Sequence, residues 1–174
     1  THTHTHTPYT TDLKQSADVF VVAILMKSIV DTFNALRRHT SHRPLNELYK
    51  GVLAGKSKAV FNGRIVVHKD AQKTDSSQSN RNLLLSEKAT INTKPELEIY
   101  ADDVSCAHGT TVGQMDDEAL FYLRSRGIDH HKAKQILTRA FCQELIDEVP
   151  CETLRERLHH QVDARLAALT EVEQ

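Results

Sequence analysis

Three textures follow one another along the chain. In residues 12–42 an unbroken apolar run, VFVVAILM (19–26), is continued by Ile29, Val30, Phe33 and Leu36. Such a run suits a buried strand or a helix, and its continuation at helical spacing favours the helix. In residues 48–115 short β-rich runs recur: AVF (59–61), RIVVH (64–68), NLLLS (82–86), ATIN (89–92), LEIYA (97–101), VSCAH (104–108) and TTVG (110–113). Turn-forming residues separate them, at Asn62-Gly63, 75–80, Lys94-Pro95, Asp102-Asp103 and His108-Gly109. No helical stretch intervenes, which argues against a doubly wound sheet. Short strands with brief corners suit a sandwich or a parallel β-helix whose rungs stack about 4.8 Å apart. Asn62-Gly63 is equally compatible with a hairpin.

Beyond Met115 the pattern turns helical. Asp116 is placed to cap a short helix through Leu123, which Gly127 closes in a left-handed conformation. Asp129 caps a second helix with an apolar stripe of Ala133, Ile136, Leu137, Ala140, Phe141 and Leu145. Pro150 falls in the first turn of a third, along which Leu154, Leu158, Val162, Leu166 and Leu169 recur. The expected division is an N-terminal segment of unsettled fold (1–45), a β core (46–115) and a helical region (116–174).

Composition narrows the function classes. With 174 residues the chain holds one domain and a sizeable core. Lys and Arg number 22 against 23 Asp and Glu, and aromatics make up 5% with no Trp. Neither a basic field nor a base-stacking platform is present, so nucleic acid is not the expected partner. VFVVAILM is too short to span a bilayer and is followed by Lys27 and Asp31, so no membrane association is expected. Cys106, Cys142 and Cys151 are widely spaced and form no CxxC pair, which points away from a closed zinc site or disulfide framework and toward a reducing cytoplasm. His2, His4 and His6 alternate, as a strand with one metal-facing side would, but a frayed end explains them more simply.

The sharpest chemical feature is Cys106 with His108. Two residues apart on a strand, they share a face, and a thiolate beside an imidazole suits iron or an iron–sulfur cluster. Clusters usually take four ligands, so a second subunit would have to supply the rest. The plainer account is a small buried Cys and a turn His before Gly109. Glu96, Glu98, Asp102, Asp103, Asp116 and Asp117 could serve a glycosidase, yet turn and cap roles explain the adjacent pairs. Gln72, Asn80 and Asn82 suit polar corner ladders in a stacked coil. GVLAGKSK (51–58) is not a phosphate loop, because three residues rather than four separate Gly51 from Gly55. Cys142 and Cys151 read as small packed residues, and His130-His131 and His159-His160 as solvated helix positions.

The segments LYKGVL (48–53), FNGRIVV (61–67), DAQKTD (70–75), NRNLLLS (80–86), KPELEIYADDV (94–104), the CxHG of Cys106 to Gly109, and FYLRSRGI (121–128) together resemble the SufB/SufD family, on its SufD branch. Residues 1–45 do not resemble the family's usual approach to LYKGVL. The resemblance implies that the chain matches the C-terminal half of a non-catalytic scaffold subunit for iron–sulfur cluster assembly. It implies a mostly β fold: a right-handed parallel β-helix followed by a C-terminal helical domain. It implies a SufB-like subunit paired along the β-helix edge and a SufC-like ABC ATPase docked on the helices, where Leu137, Phe141, Leu154 and Leu158 are the candidate contacts. It also implies that His108, with Cys106, faces a transient cluster or iron at the subunit interface, with nothing held firmly by the chain alone. A homodimer through the same edge is a further option. The alternatives are a carbohydrate-active β-helix enzyme, or an inactive, self-associating β-helix fragment.

Overall fold

A computed structural model of the chain describes residues 24–25 and 45–172. The elements are β1 (Ile24–Leu25), β2 (Leu45–Leu53), β3 (Lys58–Val67), β4 (Asp75–Leu84), β5 (Thr90–Ile99), β6 (Ser105–Gln114), α1 (Asp117–Ser125), α2 (His130–Ile146) and α3 (Glu152–Val172). The result is mixed sheet and helix rather than mostly β, because the three helices hold nearly as many residues as the strands.

The strands alternate between two sheets, β1-β2-β4-β6 and β3-β5. Every pairing after β1 is parallel: Leu45 lies opposite Ser76, Asp75 opposite Ser105, and Lys58 opposite Thr90. The chain therefore returns to the same ladder about once per thirty residues. Corners stack as the strands do, with Leu85 N–H donating to Leu53 O and Tyr100 N–H to Val67 O, both within 2.9 Å. Gln72 serves as a corner ladder, accepting from Asp103 N–H at 2.8 Å and donating to Lys69 O at 2.9 Å.

Several expected breaks lie inside strands. Residues 75–80 form most of β4, where Ser76, Gln78, Asn80 and Asn82 point inward and are buried. Their polarity hides a strand because each finds a partner across the ladder. Asn80 and Asn82 thus lie in a strand and not at a corner. Asn62-Gly63 makes no hairpin but runs straight through β3, paired to Lys94-Pro95 of β5. Gly63 is there because a Cβ would lie 2.3 Å from Gln78 Oε1. Pro95 is tolerated because β5 is an edge strand. Ile24 and Leu25 pair antiparallel with Lys50 and Tyr49, so at these two positions the strand alternative replaces the favoured helix. The free edge of β2 offers them backbone partners that a helix could not use. The rest of residues 12–42, along with His2, His4 and His6, lies outside the described residues.

The helix ends follow their local chemistry. Asp116 accepts from the N–H groups of Glu118 and Ala119, and Asp129 from those of His131 and Lys132. Gly127, at φ 83°, closes α1. Pro150 lies ahead of α3 rather than in its first turn, and Cys151, expected to be packed, is exposed. The buried side of α2 is Ala133, Thr138, Cys142, Leu145 and Ile146, while Ile136 and Ala140 of the expected stripe are exposed. Thr138 can be buried because its hydroxyl donates to Lys134 O at 2.8 Å. Burial pushes the Cys142 thiol up to about 11, which keeps it a neutral core group.

Two cores result. Between the sheets, Ile65, Val67 and Ala101 pack with Leu97, Val104 and Cys106. Outside them, Val52 of β2 meets Cys142, Leu145, Ile146, Val162 and Leu166, with Leu48, Leu85, Phe141 and Leu158 around them. Lys50 crosses this second junction. It is 3% exposed, donates to Phe141 O at 2.8 Å and to Glu144, and lies 4.5 Å from the Phe141 ring centre. Glu144 also accepts from Arg81 of β4 at 3.0 Å, so one carboxylate ties two rungs to α2.

Candidate functional site

The candidate site lies on β6, an edge strand of its sheet and exposed along almost its whole length. Cys106 stands opposite Ser76 and His108 opposite Gln78. In a parallel ladder, opposed residues share a face, so both side chains belong to the inward-facing set of β4. Cys106 is half-buried against the inter-sheet core, and its Sγ accepts from Ser76 Oγ at 3.2 Å. His108 is exposed. It does not precede a turn, as the sequence suggested. β6 continues through Gly109 to Gln114, because Gly109 takes an ordinary ladder place opposite Ser79.

Beneath His108 runs a buried polar wall, of which the sequence suggested only Asn80 and Asn82, as corner ladders. Tyr49 Oη and Gln78 Nε2 both donate to Glu47 Oε2, at 3.1 and 2.9 Å. Asn80 Oδ1 accepts from Asn82 Nδ2 at 2.6 Å and from Thr110 Oγ1 at 3.4 Å. The facing wall, from β3 and β5, is apolar, with Phe61, Ile65, Val67 and Leu97. The alternation of polar residues at 76, 78, 80 and 82 was the available signal, and it was masked by their resemblance to a turn.

Among the described residues no three His, Cys, Asp or Glu side chains come together as a metal site. Cys106 and His108 thus offer two soft donors to an iron or cluster cargo, and further ligands would have to come from elsewhere. Three of the six candidate carboxylates have structural partners: Glu96 with Lys94, Glu98 with Arg64, and Asp116 with the start of α1. The Lys94 hydrogen bond holds the Glu96 carboxyl below its usual range.

Of the candidate docking residues, Phe141 and Leu158 pack against the helix–β2 core, Leu137 is half-buried and Leu154 is 41% exposed. Larger exposed groups lie elsewhere. Phe121 (73% exposed) and Tyr122 are neighbours on α1, which buries none of its residues. Tyr100, just after β5, and Val112, near the end of β6, are also exposed. Two adjacent aromatics on a short capped helix were the signal for the first pair.

The family model for the SUF system FeS cluster assembly SufBD core domain matches residues 5–141. The chain belongs to the SufB/SufD family. The match also corrects the expectation for residues 1–45, nearly all of which fall within the family's core domain. The chain is 44% identical over 138 residues to the iron–sulfur cluster assembly protein SufD of Escherichia coli, covering 79% of this chain and 33% of that one. An iron–sulfur cluster assembly SufBD family protein of Synechocystis is 42% identical over 139 residues, covering 80% and 31%. The chloroplastic protein ABCI7 of Arabidopsis thaliana is 39% identical over 121 residues, covering 69% and 26%. This SufB/SufD-family chain therefore spans about a third or less of the length of these relatives. None of its described helices is long and apolar enough to cross a membrane.

Proposed function

We propose that this chain is the C-terminal part of a non-catalytic scaffold subunit of SufD type, acting in iron–sulfur cluster assembly. The observation that carries the reading is the edge of β6, which bears Cys106 and His108 and, among the described residues, is paired on one side only. A SufB-like subunit adds its strands to this edge and completes the ligand set for a transient iron or cluster. The SufC-like ATPase docks on the helices, with Leu154 and the α1 aromatics facing it while Phe141 and Leu158 hold the helices to β2. The lysine–carboxylate tie at Lys50 and Glu144 gives docking a mechanical route into the strands. The coil is a right-handed β-helix, in keeping with the handedness of nearly all crossovers between parallel strands of one sheet. The subunit works in the cytoplasm. Its relatives' names support the assembly role, and the parallel register supports the coil.

The test is His108→Ala in the complex purified with SufB-like and SufC-like partners. Its melting temperature is expected to stay near wild type, because His108 is exposed, while iron and sulfide per complex fall severalfold. Unchanged cluster content in a stable variant complex would remove His108 from the mechanism. Elution of the chain as a homodimer that excludes the SufB-like partner would instead assign the β6 edge to self-association.

A further inference from the structure

We infer that the corner between α1 and α2 docks an acidic protein face with an apolar socket, through Phe121, Tyr122, Arg124, Arg126 and Lys132. The inference rests on the proposed docking of the SufC-like ATPase on the helices, and it supplies the chemistry of that contact. α1 is nine residues long and capped by Asp116, yet none of its residues is buried. So short a helix is not held in water by propensity alone, and tertiary packing has to support it. Its side toward the rest of the chain is Ala119, Leu120 and Leu123, each only half-buried. The other side carries Phe121, 73% exposed, and Tyr122, 55% exposed. Exposed aromatics of this size are typical anchors of protein interfaces.

The charge around these rings decides what covers them. Each aromatic has an arginine one turn further on: Arg124 follows Phe121 and Arg126 follows Tyr122. The Arg126 guanidinium lies 4.2 Å from the Tyr122 ring centre, a stack that leaves its in-plane N–H groups to meet a carboxylate. Between residues 119 and 135 four Lys and Arg face a single acid, Asp129, in a chain whose totals are 22 and 23. Asp129 is already engaged, since its carboxylate accepts from the first N–H groups of α2, and those bonds hold it below its usual range. The acids of α1, Asp117 and Glu118, lie in its first turn, about 9 Å or more along the helix from Arg124. Among the described residues, no ion pair or side-chain hydrogen bond engages Arg124, Arg126 or Lys132. Helix polarity accounts for Arg124, in the last turn of α1, but not for Lys132. Lys132 stands in the first turn of α2, which holds no acid and where a cation is disfavoured. A cation kept against its own helix and left unpaired calls for a carboxylate from outside. A basic rim around aromatic anchors therefore fits an acidic face and repels a basic one.

The experiment measures binding of the SufC-like ATPase to the 174-residue chain by calorimetry, at low and at raised NaCl. Raising the salt from about 0.1 to about 0.4 M should weaken binding about tenfold, because exposed rim charges are screened. Arg124→Glu combined with Arg126→Glu should weaken it about a hundredfold at low salt and remove most of the salt dependence. Arg124→Gln combined with Arg126→Gln, which places no acid at the end of α1, should weaken it about tenfold. Phe121→Ala should cost about thirtyfold at both salts. Melting temperatures should not change, since these side chains are exposed. Binding that ignores salt and both double variants overturns the inference and leaves the docking reading intact. Failure of the wild-type chain to bind the ATPase rejects the docking reading, and the inference with it. A homodimer, or adsorption to phosphatidylserine vesicles, that Phe121→Ala abolishes while ATPase binding is unchanged gives the surface to another occupant and overturns the inference.

Discussion

Replacing Gly63 by Ala tests the packing between the two sheets with a single methyl group. Its Cβ would lie 2.3 Å from Gln78 Oε1, 2.7 Å from Gln78 Cδ and 2.7 Å from Phe61 Cζ. Neither neighbour yields cheaply. Gln78 is buried and held by Glu47, and Phe61 is stacked at a tilt on Tyr49 with ring centres 4.9 Å apart. Overpacking of this kind costs about 1–3 kcal/mol, and breaking the Gln78–Glu47 bond adds about 1 kcal/mol. Against this, Ala restricts the unfolded chain and returns about 0.4–1 kcal/mol, since Gly63 has no positive φ to protect. The net expectation is a loss of about 1–3 kcal/mol, or a fall of about 2–10 °C in Tm for a chain of this size. Gly109→Ala is the control, because nothing lies within 4 Å of its added Cβ. It should be neutral or stabilising by up to about 1 kcal/mol. Urea unfolding followed by circular dichroism, with unchanged m values, gives both numbers. If Gly63→Ala behaves like Gly109→Ala, the inward placement of Gln78 against β3 is wrong.

Two further substitutions probe the junction between strands and helices. Leu145→Ala, at a fully buried position facing Val52, should cost about 2–5 kcal/mol in urea midpoint analysis. A loss below about 1 kcal/mol would separate α2 from β2. Glu144→Gln should cost about 1 kcal/mol at pH 7, a modest value because the carboxylate is half exposed although Lys50 is buried. The Lys50 hydrogen bond holds the Glu144 carboxyl below its usual range. Its contribution is therefore full above the ordinary carboxylate pKa, about 4.3, and is lost as pH falls through the lowered folded value. Wild type and variant should converge in stability as acid protonates the carboxylate below its ordinary range, and a gap that persists once it is protonated would rule out the ion pair as its source.

Local chemistry made the helix ends legible, and long-range chemistry hid the strands. Asp116, Asp129 and Gly127 act on groups within a few residues of themselves, so their caps could be read directly. The fate of 75–80 depended on residues thirty positions away, since Glu47, Cys106 and Thr110 supply the partners that let this polar run become a buried strand. The Asn62-Gly63 turn signal lost for the same reason, because the space a side chain would need belongs to Gln78. The α2 stripe was misphased around Thr138, whose hydroxyl is satisfied within its own helix and so can face the core. At the candidate site, the two-residue spacing of Cys106 and His108 placed them on one face, as the ladder does. Gln78 and Glu47 were not legible, since they meet across thirty-one residues of sequence.

The two strands at the open end of the stack are finished differently, and the difference bears on the proposed pairing. β5 carries Lys94, Pro95, Glu96 and Glu98 along its length. Charges and proline are the usual means of blunting an edge against unwanted strand addition. β6 reads SCAHGTTVGQ, with no Lys, Arg, Asp, Glu or Pro in ten residues. Its outward positions, Ser105, Ala107, Gly109, Thr111 and Gly113, are all small. A long edge without these protections is a liability for a protein that works alone, and it is the surface on which a second chain can continue the ladder. Cys106 and His108 lie on that same strand. Strand addition at β6 would therefore bring a partner's side chains into register beside them, which is how a two-donor set becomes a full one. Introducing one charge at an outward position, as in Gly109→Lys, should abolish co-purification with the SufB-like partner while leaving the melting temperature of the isolated chain unchanged. Retained pairing in that variant would move the interface away from β6.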